Sequence, residues 1–322
     1  MMFSDSEKAS LSIIRIWAML SIVVCHLFQA YHHSLAGVFN VGVQVFLVLS
    51  GYLYGRKQID DWRQWWKRRF DRVYIPYFIF LSCTIPLYFF FHPEAMRWEW
   101  LPVYYLNLDG FRYLLGHTPI GQSISIDGLR HVWFLTAIMF AYFSTYGLQK
   151  IRAHSHERPC LVVLSILVGL GYLFLPMRVM FTLAWVYLYA FGYLLSGMKD
   201  AASFKVLLLL ILTATIVYTL ITRDIFFWSP TYRLLHDAAG IAAVVVGVPI
   251  LSALSIKRLP PALQILDRYS FHIYLVHFIV MCGPFSMAHL TPSVAVNIFL
   301  MLSATAILTY LLAWATPKTR IV

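Results

Sequence analysis

Charged side chains are scarce in this chain of 322 residues: only 12% are Asp, Glu, Lys or Arg. A soluble domain typically has about twice that fraction. Hydrophobic residues make up 60% of the sequence, and the mean hydropathy is +0.72. This composition excludes an ordinary soluble domain. It predicts an all-α integral membrane protein, whose spanning segments satisfy their own backbone hydrogen bonds.

Cysteine is also scarce. The chain has only Cys25, Cys83, Cys160 and Cys282, which are isolated from one another in the sequence and lie mostly within hydrophobic runs. Their spacing predicts neither a metal site nor a disulfide framework. A Gly-rich phosphate loop, a soluble domain and an internal repeat are also missing. The missing repeat counts against a transporter built from duplicated halves. We therefore expect one membrane domain over residues 1–322, with no metal.

Hydrophobic runs recur along the whole chain, and a helix needs about 20 mainly apolar residues to cross the hydrocarbon. The runs predict a polytopic bundle of about ten transmembrane helices. They are Leu11–Ala30, Val38–Tyr54, Val73–Phe91, His131–Leu148, Cys160–Leu175, Val179–Ser196, Phe204–Ile221, Leu234–Leu254, Tyr269–Phe285 and Val294–Thr316.

The basic residues predict an orientation. With a cytoplasmic N-terminus, 18 Lys and Arg residues lie in cytoplasmic segments, six lie in outer loops and Arg15 lies within a span. The positive-inside rule predicts such a split, so we expect both termini in the cytoplasm. The distribution also accounts for the net charge of +11. Because the charges are dispersed over alternate loops, nucleic-acid binding is a poor explanation.

Arg15 and His26 form the first candidate pair for chemistry. Eleven helical residues make about three turns, so both side chains lie on one stripe, roughly 16 Å apart along the axis. An Arg inside a span usually faces a protein interior or a wet cavity, and a His can exchange a proton near neutral pH. The structural alternative is that Arg15 extends to the inner headgroups while His26 bonds a neighbouring backbone group.

A segment rich in Trp and cations follows at residues 56–72. It can be an interfacial segment on anionic lipid. Spacing favours a second interpretation, because Arg69 and Arg72 are three apart and would project together from a helix. With the adjacent Arg68, they could grip the phosphates of a cytosolic cofactor through forked hydrogen bonds.

Further candidates are spread over three blocks. Ser50 lies in GVQVFLVLSGYL, where small residues allow close helix packing, and packing is favoured over a nucleophilic role. His131 and Trp133 open the fourth run, either as interfacial anchors or as the lining of an acceptor site. Tyr274 and His277 lie one turn apart in the ninth run.

Together these motifs resemble the acyltransferase family 3 membrane proteins over nearly the whole chain. The matching pieces are the Arg-x10-His of Arg15 and His26, GVQVFLVLSGYL, the Arg-x-x-Arg within KRRFDRVYIPY, HVWFL and RYSFHIYLVHF. The resemblance implies about ten helices and transfer of an acyl group, usually acetyl. The donor would be cytoplasmic acyl-coenzyme A, and the acceptor a hydroxyl of a carbohydrate or another compound at the outer face.

The resemblance also implies residue roles. His26 would be the base or acyl relay, Arg15 its partner at the cofactor, and Arg69 and Arg72 the ligands of the coenzyme A phosphates. Two departures stand out. The family often has an Asp where this chain has Ser12, and many members have a Glu after the Trp-x-Leu of the fourth span, where this chain has no acid.

Asp237 at the outer end of the eighth run is a candidate acid partner for His26, although an Asp there is more often a helix cap or an ion-pair partner. Some relatives carry an extracytoplasmic hydrolase-like domain, which we expect this chain to lack. The acceptor would then contact the membrane core and the outer loop 92–130, whose aromatic side chains could stack on sugars or form an interfacial belt.

The expected function is an O-acetyltransferase of the bacterial inner membrane. It would use acetyl-coenzyme A and act on a surface polysaccharide or its lipid-linked precursor. The alternative is a transporter or exporter of a small anion or acylated metabolite. A structural or lipid-sensing membrane protein is the least favoured class, since it has no need of the Arg-x10-His stripe.

Overall fold

The structure is a computed structural model that describes residues 3–96, 98–114, 126–198 and 229–317. All regular elements in these residues are helical. The α-helices are α1 (Asp5–Ala30), α2 (Ala36–Phe39), α3 (Gly42–Gly55), α4 (Trp62–Phe91), α5 (Leu101–Tyr105), α6 (Trp133–Phe143), α7 (Thr145–Ala153), α8 (Glu157–Phe174), α9 (Met177–Gly197), α10 (Pro230–Val245), α11 (Gly247–Ala253), α12 (Pro261–Met281) and α13 (Val294–Ala315). Short 3₁₀ turns cover Pro93–Ala95, Trp98–Trp100, Asp109–Tyr113 and Arg130–Val132.

Within these ranges, seven helices are long and apolar enough to cross a membrane, so the chain is a multi-pass membrane protein. They are α1, α2 with α3, α4, α8, α9, α10 with α11, and α13. These seven match predicted runs. The predicted hairpin is among them, with α8 and α9 separated by Leu175 and Pro176.

The other three predicted runs differ. The fourth is divided at Ser144 into α6 and α7. The ninth falls largely within α12, where Asp267, Arg268 and two histidines lower the mean hydropathy. The seventh, Phe204–Ile221, lies outside the described residues.

Helix starts follow from local capping. At α1 the Ser4 hydroxyl accepts from the Glu7 amide, and the Glu7 carboxylate accepts from the Ser4 amide. This is a capping box, which satisfies two amides that lack helical partners. Asp61 caps α4 by accepting from the Gln64 amide at 2.9 Å. The basic segment and the third predicted span are therefore one helix of 30 residues.

The chain forms two compact units. Unit 1 comprises Met1–Ile22, Gly37–Gln58 and Ala137–Asp267. Unit 2 comprises Val23–Ala36, Ile59–Thr136 and Arg268–Val322.

In unit 1, glycines let α3 and α9 approach closely. A Cβ on Gly51 would lie 1.9 Å from the Tyr189 carbonyl oxygen, and a Cβ on Gly192 would lie 2.0 Å from the Val48 carbonyl oxygen. Such contacts are tolerated only without a side chain, as in other membrane helix pairs joined by small residues. The close packing predicted for the GVQVFLVLSGYL block is confirmed at Gly51.

In unit 2, buried polar contacts organise the described part of the segment between α4 and α6. The Tyr77 hydroxyl donates to the Tyr104 carbonyl at 2.7 Å. Arg112 donates to both carboxylate oxygens of Asp109, at 2.7 and 2.9 Å, and to the Arg130 carbonyl at 2.8 Å. Burial raises the pKa of Asp109 to about 6, against the lowering effect of the Arg112 charge.

Candidate functional site

Two histidines from distant parts of the chain meet in unit 2. Nδ1 of His26, near the end of α1, lies 2.7 Å from Nε2 of His277 on α12. The two rings are inclined by only 20°, with centroids 5.0 Å apart. His277 is fully buried, whereas His26 retains partial exposure. His26, which can exchange a proton, thus has a defined hydrogen-bond partner and is still partly accessible.

His131 and Tyr274 belong to the same cluster. His131 Nε2 lies 2.9 Å from the Leu275 carbonyl oxygen, and the Tyr274 hydroxyl donates to the His131 carbonyl. The Phe278 ring stacks on His131 at 4.8 Å and meets His26 edge-on at 4.6 Å. Four predicted site residues are therefore brought together around one phenylalanine.

The position of Trp133 is compatible with a lining role. It is partly exposed at the first residue of α6, two residues after His131. Its ring contacts that of Phe134, with centroids 6.4 Å apart, and Phe134 in turn contacts Tyr274.

In unit 1, Arg15 has an acidic partner that we did not predict from the sequence. Its Nη1 donates to Oδ1 of Asp267 at 2.9 Å, and the Ser12 hydroxyl donates to Oδ2 of the same carboxylate at 2.7 Å. Asp267 directly precedes the RYSFHIYLVHF block. The only signal available from the sequence was this proximity to a motif.

The three predicted phosphate ligands lie on one stretch of α4. Arg68 and Arg72 are exposed and one turn apart, and Arg69 is partly buried. Residues three and four apart on a helix are neighbours, so the cations share a face. The exposed guanidinium groups of Arg68 and Arg72 carry forked donors suited to an anionic ligand.

The remaining predicted residues, Ser50 and Asp237, lie in unit 1. Ser50 is partly buried on α3, next to the glycine that contacts α9. Asp237 is buried on α10 and accepts a short hydrogen bond from the Tyr172 hydroxyl. The neighbouring His236 bonds the carbonyls of Gly37 and Tyr232, both at 2.7 Å. The structure thus pairs Asp237 with a tyrosine.

Across the described ranges, no group of three or more His, Cys, Asp or Glu side chains is arranged to hold a metal ion. The cluster in unit 2 offers imidazole and hydroxyl groups. An imidazole with one committed nitrogen and one open nitrogen can accept a proton or act as a nucleophile.

The family model for the acyltransferase domain of acyltransferase family 3 matches residues 8–316. The chain belongs to acyltransferase family 3. The match includes the Arg-x10-His pair, the basic face of α4 and the histidine cluster.

Curated relatives are similar over part of their length. The O-acetyltransferase OatA of Staphylococcus aureus is 27% identical over 187 residues, which cover 52% of this chain and 30% of that protein. The peptidoglycan O-acetyltransferase OatA of Listeria monocytogenes is 28% identical over 103 residues, covering 30% of this chain and 16% of that protein. The chain thus aligns with less than a third of either relative. No solved structure is significantly similar to the acyltransferase family 3 chain described here.

Proposed function

We propose that this member of acyltransferase family 3 is a membrane O-acetyltransferase. It takes acetyl from cytoplasmic acetyl-coenzyme A and passes it to a hydroxyl of a surface polysaccharide or its lipid-linked precursor. The observation that carries the proposal is the 2.7 Å contact of His26 with the buried His277, in a chain matched by the family model over residues 8–316. Because both relatives are named O-acetyltransferases and one is named for peptidoglycan, a glycan is the first acceptor to test.

The proposed reaction moves one proton and exchanges one bond. In the direct route, the acceptor oxygen forms a C–O bond to the acetyl carbon while its proton passes to His26. The C–S bond of the thioester breaks, and the proton neutralises the departing thiolate. If His26 is instead the acyl relay, its nitrogen first forms a C–N bond to the acetyl carbon while the C–S bond breaks and the thiolate leaves. The acceptor oxygen then forms the C–O bond, the C–N bond breaks, and the hydroxyl proton neutralises the thiolate. General acid–base catalysis of this kind contributes about 10²- to 10⁴-fold.

The cations are proposed to bind the donor. Arg69 and Arg72, with Arg68 beside them, carry forked donors suited to the coenzyme A phosphates, and those of Arg68 and Arg72 are exposed. Arg15, whose guanidinium is held by Asp267, is the proposed partner at the cofactor.

The acceptor is proposed to contact the histidine cluster from the outer side. His131 Nε2 faces a carbonyl oxygen, which can only accept, so the ring proton is assigned to Nε2. Nδ1 is then a lone-pair acceptor, and it is buried without a described partner. An acceptor hydroxyl could donate to it. Trp133, Tyr274 and the aromatic side chains of the outer loop would complete the binding surface, while Ser50 and Asp237 stay predictions as acceptor contacts.

The topology proposed for this function has about ten spans, a single membrane domain and both termini in the cytoplasm of a bacterial inner membrane. The 18-to-6 distribution of Lys and Arg residues supports it. This orientation places the basic face of α4 on the side where coenzyme A is found and the His131 end of α6 on the opposite side.

The decisive experiment uses membrane vesicles containing the protein, radiolabelled acetyl-coenzyme A and a peptidoglycan acceptor. The two readouts are release of free coenzyme A thiol and label on the glycan. We expect both with the wild type. His26→Asn can still donate to His277 but has no base, so both should fall by about 10²-fold or more. The exposed His32→Asn is the matched control. Label transport without thiol release would support the transporter alternative instead.

A further inference from the structure

We propose that His277 is the positioning residue of His26: it accepts the Nδ1–H of His26 and leaves Nε2 of His26 as the reacting atom. The role of Nε2 in acetyl transfer rests on the proposed function, but the tautomer of His26 follows from the hydrogen-bond geometry alone. It assigns His277 the part that a carboxylate has in a Ser-His-Asp triad, where the third group holds the imidazole in one tautomer.

The first step concerns Nδ1 of His277. It lies 2.8 Å from the Tyr274 carbonyl oxygen and 3.1 Å from the Ile273 carbonyl oxygen, both in the preceding turn of α12. A carbonyl oxygen can only accept a hydrogen bond. An unprotonated Nδ1 would point its lone pair at the lone pairs of these two carbonyl oxygens, and neither hydrogen bond could form. The proton of His277 is therefore assigned to Nδ1.

The second step concerns Nε2 of His277. The ring is fully buried, with Phe278 and His131 among its neighbours. A buried charge without an ionic partner costs several kcal/mol, and both groups facing Nδ1 are neutral carbonyls. His277 is thus neutral, and its Nε2 carries a lone pair. At 2.7 Å from His26 Nδ1, that lone pair requires a donor, so His26 holds its proton on Nδ1.

The third step gives the consequence for His26. A neutral imidazole with Nδ1–H has its lone pair on Nε2, and the described residues place no hydrogen-bond partner on that atom. When Nε2 takes up the hydroxyl proton, the Nδ1–H bond to His277 persists and becomes charge-assisted, which strengthens it. In the acyl-relay variant, the same Nε2 is the nucleophile. The reacting atom is therefore Nε2 of His26 in both the general-base route and the acyl-relay route.

The packing also keeps the His26 ring from turning over. Phe278 meets it edge-on at 4.6 Å, and the His277 ring lies nearly parallel to it. This arrangement accounts for a departure from the family pattern. The fourth span has no Glu after its Trp-x-Leu, and a buried histidine on α12 orients His26 in place of an acid.

The direct test is nitrogen-15 NMR of the purified protein with labelled histidine, with His26 assigned by loss of its signals in His26→Asn. We expect a protonated Nδ1 and a pyridine-type Nε2 on His26, with the same pattern on His277. A protonated Nε2 on His26 would overturn the inference. This readout needs neither donor nor acceptor, so it stays informative if the protein proves not to transfer acetyl.

A matched pair of variants tests the consequence for turnover. In His277→Gln the side-chain oxygen can still reach His26 Nδ1–H. His277→Asn is too short to reach it but keeps an amide donor for the Tyr274 carbonyl. We expect kcat to fall roughly 100-fold in His277→Asn and clearly less in His277→Gln, with the KM for acetyl-coenzyme A unchanged in both.

The control is His272→Asn on the same helix, because neither nitrogen of His272 has a hydrogen-bond partner among the described residues. It should keep the wild-type kcat. Wild-type kcat in His277→Asn would contradict the inference. So would equal losses in the Asn and Gln variants accompanied by a raised KM, because that pattern indicates general damage to the fold.

Discussion

Asp267 holds Arg15 and Ser12 on one carboxylate, with Arg15 Nη1 2.9 Å from one oxygen and the Ser12 hydroxyl 2.7 Å from the other. Ser12 stands where the family often has an acid. The acid that accompanies Arg15 comes here from α12, 252 residues away along the chain. The arginine therefore has an ionic partner although its own helix does not supply one.

Asp267→Asn should destabilise the folded protein. The variant keeps the shape of the side chain but removes the charge that Arg15 faces. The pair is partly exposed, so we expect a loss of about 1–2 kcal/mol in unfolding free energy. Thermal unfolding in detergent measures it. The double variant Ser12→Asp with Asp267→Ser moves the acid one turn before Arg15 and should recover most of the loss. Equal stability of Asp267→Asn and wild type would contradict the assignment.

Gly51→Ala should disrupt the contact between α3 and α9. The added Cβ would lie 1.9 Å from a backbone oxygen that cannot move independently of its helix, and overpacking of this kind costs about 1–3 kcal/mol or more. Gly147→Ala is the control, since a Cβ there meets nothing within 4 Å. In the control, alanine should leave stability unchanged or raise it slightly. The melting temperature should thus fall in Gly51→Ala and not in Gly147→Ala, and an equal change in both variants would refute the close approach.

Arg69→Ala and Arg72→Ala should each raise the KM for acetyl-coenzyme A by about tenfold, because a charge-assisted hydrogen bond to an anion contributes roughly 1.5–3 kcal/mol. Arg72→Lys keeps the charge but loses the forked geometry, so it should recover only part of the affinity. Arg63→Ala, exposed in the first turn of α4, serves as the control for general loss of positive charge. If both alanine variants bind the donor as the wild type does, α4 has no role as a phosphate clamp.

Stability should depend on pH through Asp109. Its pKa is raised to about 6 when folded, above its ordinary value near 3.8, so the native state holds the proton more tightly. The stability that this proton contributes is fully present below pH about 4 and is lost as the pH rises through about 6. A shift of about two pKa units corresponds to about 3 kcal/mol.

Asp109→Asn removes this dependence. Melting curves of the wild type and the variant between pH 4 and 7 provide the measurement. We expect the wild type to lose stability relative to the variant as the pH rises, by up to about 3 kcal/mol. Parallel curves would mean that Asp109 titrates as an exposed carboxylate does.

Local patterns were sufficient for part of this architecture. The length of a hydrophobic run can be judged for each segment separately, without knowledge of the rest of the fold. Seven predicted runs accordingly appear as helices able to span a membrane. The Arg15 and His26 positions on α1, and the basic face of α4, also follow from helical periodicity. The fourth and ninth runs were less accurate, because hydrophobic length does not predict the break at Ser144, and α12 begins at Pro261, before the predicted run.

The partners of these residues were beyond the reach of local patterns. His277 was a predicted site residue, but it is 251 residues from His26 along the chain, and no local pattern predicts that the two side chains meet. Asp237 was a candidate acid partner of His26 and stays a prediction; the bond that its carboxylate accepts from the Tyr172 hydroxyl was not predicted.

The sequence by itself thus determined membrane insertion, the family motifs and the placement of Arg15 and His26 on one stripe of α1, because these depend on composition and spacing along one helix. Only the tertiary structure decided that Asp267 holds Arg15 and that His277 faces Nδ1 of His26. Which side chains meet depends on how helices far apart in the chain pack together, and a hydrogen bond of 2.7 Å is defined only after that packing exists.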